Sequence, residues 1–249
     1  MPTDEPMDSN LHSPQRRLIE LRIEHADLDN LIDQAVNQPG NDQLAMQRLK
    51  KRRLLLRDQG VGPIIAYVGR LDTQKGLHLI RHTMFWALAN GAQFVLLGSG
   101  SERGINEQWW HLRHELNNNP DCHLEIGYDE DLAHLIYAGA ELVIMPSLYE
   151  PCGLTQMIAM RYGAVPVVRA VGGLGDTVFD WDHSPRPREE RNGFVFEHPD
   201  YEGIESALRR ALGMWREAPD LFRALQVQAM RTDYSWRLPA ESYLDIYQH

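Results

Sequence analysis

The sequence predicts an α/β protein, a parallel sheet covered by helices on both faces, behind an N-terminal two-helix hairpin. Three observations predict it. From Gly62 onward, short β-branched runs alternate with amphipathic stretches of helical period. Those runs (IIAYV, QFVLL, LVIM, VPVV) are apolar almost throughout rather than at every second position, as strands buried on both faces require. Residues 1–59 follow a different pattern, a heptad-like seam broken once by a proline-glycine turn.

In that first segment, Ser13-Pro14 reads as an N-cap followed by proline at the first helical position. Leu18, Leu21, His25, Leu28, Ile32 and Ala35 then recur at 3-4-3-4-3 spacing, a seam that packs on a partner helix. Pro39 and Gly40 end this helix, and a second runs from about Leu44 to Gln59. Its basic run, Arg48, Lys50, Lys51, Arg52, Arg53 and Arg57, reads as a solvated face opposite Asp27, Asp29 and Asp33. The division is therefore residues 1–60 as hairpin and 61–249 as the α/β domain. Removing the hairpin is expected to leave the larger part folded.

In the α/β part, strands are expected at Ile64–Val68, Gln93–Leu97, His123–Ile126, Leu142–Met145, Val165–Val168 and Phe194–Phe196. Helices are expected at about Gln74–Ala89, Asn106–Asn117, Asp131–Tyr137, Leu154–Arg161, Glu202–Arg216 and Pro219–Met230, with a terminal one from Pro239. The stretch Asp180 to Asn192, rich in proline and charge, is expected to be a mobile surface loop.

Composition excludes several classes. The 249 residues are 43% hydrophobic and 24% charged, an ordinary globular mix that needs no metal or disulfide staple. The net charge is −10, and residues 1–59, with nine Lys+Arg and ten Asp+Glu, carry almost none of it. The larger domain is thus acidic, which speaks against nucleic acid and anionic membrane as partners. Cys122 and Cys152 form no C-x-x-C, and reduced thiols fit a cytoplasmic protein. No apolar run is long enough to span a bilayer, and the acidic, polar start Met1 to Asn10 is no secretory signal. Without H-E-x-x-H or a His-Cys cluster, neither metal nor other cofactor is expected, and G-x-S-x-G is absent.

In an open parallel sheet, ligands bind beyond the carboxyl ends of the strands. Gly69-Arg70-Leu71-Asp72-Thr73-Gln74-Lys75-Gly76 follows the first strand there. Arg70 and Lys75 fit a diphosphate, or else are solvated charges flanking a helix start. Gly98-Ser99-Gly100 follows the second strand, but Arg103 occupies the third glycine position of a dinucleotide fingerprint, so a tight turn is favoured. Tyr128, after the third strand, is either a stacking platform for a base or a half-buried boundary residue.

The segment after the fourth strand, Met145 to Gln156 (MPSLYEPCGLTQ), carries the most information. Gly153 is expected to open the next helix, so that the N–H groups of Gly153, Leu154 and Thr155 face phosphate oxygens. Glu150 in front of such a site would compete with phosphate. A carboxylate there without a compensating charge is best explained by hydroxyl ligands such as those of a sugar. Cys152 reads as a small packing residue rather than a reactive thiol. Gly172, Gly173 and Gly175, after the fifth strand, permit close backbone approach to a ligand or to a neighbouring loop.

Together, GRLDTQKGLHLI, LLGSG, GYDEDLAHLIYAGAELVIMPSLYEPCGLTQMIAMRYGAVPVVRAVGGLGDTV and RNGFVFEH resemble bacterial glycogen synthases and plant starch synthases. The resemblance runs from about Gly62 to the end. It implies a Rossmann-like domain, the C-terminal, nucleotide-sugar-binding half of a two-Rossmann-domain glycosyltransferase fold. It implies Arg70, Lys75 and Glu150 as catalytic groups, with Arg70 and Lys75 on the donor diphosphate and Glu150 on the glucose hydroxyls. It places Tyr128 against adenine and Cys152, Gly153, Leu154 and Thr155 beside the donor. The substrates implied are ADP-glucose and an α-glucan. The E-x7-E of many retaining glycosyltransferases is absent, since Ile158 holds the second position, a departure usual in this family. The family's N-terminal acceptor domain has no counterpart in residues 1–59. The expectation is a donor-binding half that needs a separate N-terminal half for activity. The alternative is a non-catalytic nucleotide-sugar or protein-interaction module. Residues Leu18 to Gln59 resemble the small YdcH-like helical-hairpin family, through EHADLDNLID and LKKRRLLLRDQ.

Overall fold

The computed structural model describes residues 62–100, 103–235 and 237–248, and the expected hairpin lies outside the described residues. The described part belongs to one compact unit, Gly62–His249. Six strands form its sheet: β1 Ile64–Val68, β2 Gln93–Gly98, β3 Cys122–Ile126, β4 Leu142–Met145, β5 Val165–Arg169 and β6 Phe194–Phe196. All pairings are parallel, in the order β3-β2-β1-β4-β5-β6. The helices are α1 Leu77–Ala89, α2 Arg103–Leu116, α3 Glu130–Gly139, α4 Thr155–Arg161, α5 Gly172–Thr177, α6 Tyr201–Glu217, α7 Pro219–Arg231 and α8 Arg237–Gln248. The expected Rossmann-like parallel sheet is present. Among the described residues, no helix is long and apolar enough to cross a membrane.

The continuous apolar strands are explained by two cores. Ile65, Phe94, Leu96, Leu142, Ile144, Val165 and Val167 face one side, against α1, α2, α6 and α7. Ala66, Leu97, Val143, Met145 and Val168 face the other, against α3, α4 and α5. Period-two alternation sends each strand's neighbours to opposite layers, and both layers are apolar. Each fully buried Phe, Ile or Leu side chain, such as Phe94 or Leu142, contributes about 1.5–3 kcal/mol.

Two expectations need correction. The helix expected from Gln74 is two elements: a 3-10 turn Thr73–Lys75, then α1 from Leu77. Gly76 between them has φ 72°, a left-handed conformation that interrupts the helical path. The glycine-rich segment after β5 forms a short helix, α5, with Leu174 buried in the second core. It makes the expected close approach to a neighbouring loop: a Cβ on Gly172 would overlap the Glu150 carbonyl oxygen.

The second correction concerns Asp180 to Asn192, which is tied down at many points rather than mobile. Arg186 stacks on Phe179 with its guanidinium carbon 3.9 Å from the ring centroid, and Arg188 on Trp181 at 4.3 Å. Asn192 receives the Phe179 amide at 2.7 Å and donates to the Thr177 carbonyl at 2.9 Å. Arg210 of α6 clasps both oxygens of Asp180, at 2.9 and 3.0 Å. Burial alone would raise the Asp180 pKa. Hydrogen bonds from Arg210 and from the amides of Val195 and His183 outweigh it and hold the carboxyl below the usual aspartate value.

Candidate active site

The strand order turns back between β1 and β4, so their two carboxyl ends open a crevice at the topological switch point. The loops that leave these strands are laced together. The Leu148 amide donates to the Gln74 carbonyl at 2.7 Å, and Gln74 Nε2 donates to the Tyr149 carbonyl at 3.0 Å. A Cβ on Gly76 would overlap the Pro146 carbonyl oxygen, so only glycine permits this approach.

The lacing joins two of the expected residues, Lys75 and Glu150. Lys75 ends the 3-10 turn, capped by Asp72 Oδ1, which accepts from the Lys75 amide at 3.1 Å. Its Nζ forms a direct ion pair with Glu150 Oε2. Both side chains are mostly buried, 17% and 14% exposed. Ser147, itself buried, donates from Oγ to the same Glu150 oxygen at 2.9 Å. The expectation of a carboxylate without a compensating charge is therefore corrected: Lys75 answers it within the protein. Arg70 stands apart from that pair, 70% exposed, with Nη1 3.2 Å from Asp72 Oδ2.

Beyond Glu150 the chain turns at Gly153, with φ 70°, and α4 begins at Thr155, two residues after Gly153 and one after the expected start at Leu154. Leu154 is the N-cap, without a side-chain capping bond. The first amides of any helix lack intrahelical partners, and here they follow a glycine turn rather than a capping side chain. The exposed Cys152 corrects its reading as a packing residue. The α5 segment supports this loop from behind. The Gly173 amide donates to the Glu150 carbonyl at 3.1 Å, and a Cβ on Gly173 would overlap the Cys152 carbonyl oxygen. Gln156 Nε2 donates to the Gly153 carbonyl and to Thr177 Oγ1, both at 3.0 Å. Arg169, at the end of β5, donates to the Leu148 carbonyl at 2.9 Å.

Tyr128 is 86% exposed beyond β3, the edge strand. Two strand spacings, about 10 Å, separate β3 from β1. It is thus a projecting ring, not a half-buried boundary residue, on the same carboxyl edge as Arg70 and Lys75. The Gly98-Ser99-Gly100 turn serves packing. A Cβ on Gly98 would overlap the Gly69 carbonyl oxygen, and Asn106 holds the Gly100 amide and carbonyl at 2.8 and 2.7 Å.

Sequence reasoning missed Ser147, Gln74, Gln156, Arg169 and Tyr67. These residues act through backbone carbonyls or through Glu150, and no spacing rule marks such contacts. Among the described residues, Asp180, Asp182 and His183 offer a metal-like grouping. Arg210 already neutralises both aspartates, so a divalent cation would have to displace a guanidinium.

The decisive comparison is with the profile of glycosyl transferases group 1, which matches residues 50–223. The chain belongs to the glycosyl transferases group 1 family. A second profile, a protein family of unknown function termed DUF465, matches residues 18–59, the expected hairpin. Among curated relatives, glycogen synthase 1 of Nitrosococcus oceani is 51% identical over 250 residues, covering 98% of this chain and 51% of the relative. Glycogen synthase 2 of Methylococcus capsulatus is 56% identical over 205 residues, covering 82% of this chain and 42% of the relative. The solved catalytic domain of starch synthase IV from Arabidopsis thaliana, bound to ADP and acarbose, superposes with a TM-score of 0.75 at 39% identity. That match covers 80% of this chain and 42% of the other.

The chain thus spans about half the length of the curated relatives it matches, and it resembles their C-terminal half. The likeness also reaches upstream of Gly62, where sequence reading alone began it: the family profile starts at residue 50, and the Nitrosococcus match leaves 2% of the chain uncovered.

Proposed function

We propose that the Gly62–His249 unit is the donor-binding half of a retaining ADP-glucose:α-1,4-glucan glucosyltransferase. The observation that carries this reading is the joining of Lys75 and Glu150 at the switch point, with Arg70 on the same loop. A diphosphate needs cations, and a sugar needs a hydroxyl acceptor held in place; this crevice offers both within one hydrogen-bonded cluster. The similarity to a starch synthase solved with ADP supports adenine as the base, with Tyr128 as its stacking surface.

In the proposed chemistry, Arg70 and Lys75 stabilise the diphosphate as the glycosidic bond to glucose breaks, and the amides at Gly153, Leu154 and Thr155 share its charge. Glu150 accepts from glucose hydroxyls and fixes the sugar, while Cys152 borders it. No metal or other cofactor is assigned a role. Transfer to a glucan 4-hydroxyl requires an acceptor surface opposite, since alignment of the two reactants supplies much of the acceleration. We place that surface on a separate N-terminal half. The exposed apolar residues beside the crevice, Tyr149 at 61% and Leu154 at 66%, suit a face that another domain covers.

The test is titration of the purified chain with ADP, ADP-glucose, UDP-glucose and NADH, followed by a radiolabelled ADP-glucose transfer assay to glycogen. Binding of ADP and ADP-glucose, with transfer only when an N-terminal half is added, is the expected result. Transfer by the chain alone would refute the need for a second half. Donor binding without transfer under any complementation would favour the non-catalytic module, and preferential NADH binding would overturn the site.

A further inference from the structure

Tyr67, next to last in β1, is buried to 2% exposure among the first core. Its hydroxyl donates to the Arg70 carbonyl oxygen at 2.5 Å, reaching past Gly69. A Cβ on Gly69 would come 3.2 Å from that hydroxyl, so the loop lies directly over the phenol. The Leu71 amide, on the far side of Arg70, donates to the Ser99 carbonyl at 2.9 Å. Arg70 is thus the exposed residue of a loop whose backbone is pinned before and after it.

We propose that Tyr67 is a positioning residue for the donor diphosphate: its buried hydroxyl fixes the Arg70 carbonyl and so aims the Arg70 guanidinium at the crevice beside Lys75. This deepens the donor-site reading and rests on it. A long exposed guanidinium loses much freedom when it grips a ligand, and a fixed backbone origin reduces that loss. The ring of Tyr67 fills core space that a phenylalanine ring would fill equally well. The hydroxyl is the part that the core does not need, and its recorded bond goes to Arg70. Burial, with the nearby carboxylates of Asp72 and Glu150, pushes the phenol pKa upward, so the hydroxyl stays a donor across the physiological range.

The experiment is a double-mutant cycle on the full chain, with ADP affinity measured by calorimetry for the wild type, Tyr67→Phe, Arg70→Ala and the double variant. Tyr67→Phe is expected to weaken ADP binding about 3- to 10-fold, the range of one lost hydrogen bond. In the Arg70→Ala background the same change should alter ADP affinity less than about 2-fold, since no guanidinium remains to be aimed. Equal losses in both backgrounds would overturn the proposal, as would a lower melting temperature with unaltered affinity. Wild type that binds no ADP would instead refute the donor-site reading, and this inference with it; the wild-type titration separates the two failures.

Discussion

Replacing either member of the Lys75–Glu150 pair tests whether the crevice holds a coupled charge pair or two independent surface groups. Lys75→Met keeps the aliphatic stem and removes the charge. Glu150, 14% exposed, would then retain the Ser147 hydroxyl at 2.9 Å and lose its counter-charge. Breaking a fully buried pair costs about 3–5 kcal/mol, and a surface pair contributes roughly 0–1. At 14–17% exposure the expected loss lies between these, about 2 kcal/mol. For a unit of this size that corresponds to roughly 4–8 °C in melting temperature. Glu150→Gln should cost about 1–2 kcal/mol, because Lys75 can turn its flexible stem toward water. In the double variant neither charge is stranded, so the total should be close to one single loss, a coupling of about 1–2 kcal/mol.

Urea denaturation of the four proteins, at low and high salt, measures this directly. A shielded pair keeps most of its coupling at high salt, whereas an exposed one does not. Losses that add in the double variant would refute the argument that Glu150 and Lys75 compensate each other. Ligand binding then separates their proposed roles. Lys75→Met should weaken ADP and ADP-glucose alike. Glu150→Gln should leave ADP unchanged or tighter and weaken ADP-glucose relative to ADP, because ADP carries none of the glucose hydroxyls.

Three further outcomes are expected. The Asp180 carboxyl is held below its usual pKa when folded, so its stabilisation is present above the unfolded value, about 3.9, and fades as pH falls through the lower folded one; Asp180→Asn should flatten that acid limb of a denaturation-versus-pH curve. Cys152 is exposed and Cys122 buried, with burial pushing the Cys122 thiol up to about 11. A thiol reagent should therefore modify Cys152 quickly and Cys122 only on unfolding, and ADP-glucose should slow the first reaction if Cys152 borders the donor. Gly173→Ala should destabilise the unit by about 1–3 kcal/mol in urea titration, since the new methyl overlaps the Cys152 carbonyl, and should weaken ADP-glucose binding more than the distant Gly213→Ala, whose Cβ meets open space.

What the sequence disclosed and what it withheld follow from the same physics. Strands buried on both faces need unbroken apolar runs, so β1, β4 and β6 are legible to the residue in IIAYV, LVIM and FVF. Motifs that place charge at strand ends are legible too, because GRLDTQKG and YEPCGLTQ stand out from the apolar background. Contacts between segments distant along the chain are not. Lys75 and Glu150 lie 75 residues apart, and nothing in either motif says that the cation of one neutralises the carboxylate of the other. That pairing depends on β1 and β4 being neighbours at the switch point, a property of strand order. The same holds for Asp180 to Asn192, whose prolines and charges mimic a mobile loop. Arg210, 30 residues from Asp180, anchors it only once α6 has packed beside β6. Tyr67 fails to register for the opposite reason: within IIAYV it reads as one more core ring, and its hydroxyl acquires a role only through the turn at Gly69, which brings the Arg70 carbonyl back over it. The site's side chains can be named from the sequence, but their mutual charge balance arises from the fold, and charge balance decides which of them a phosphate or a sugar can claim.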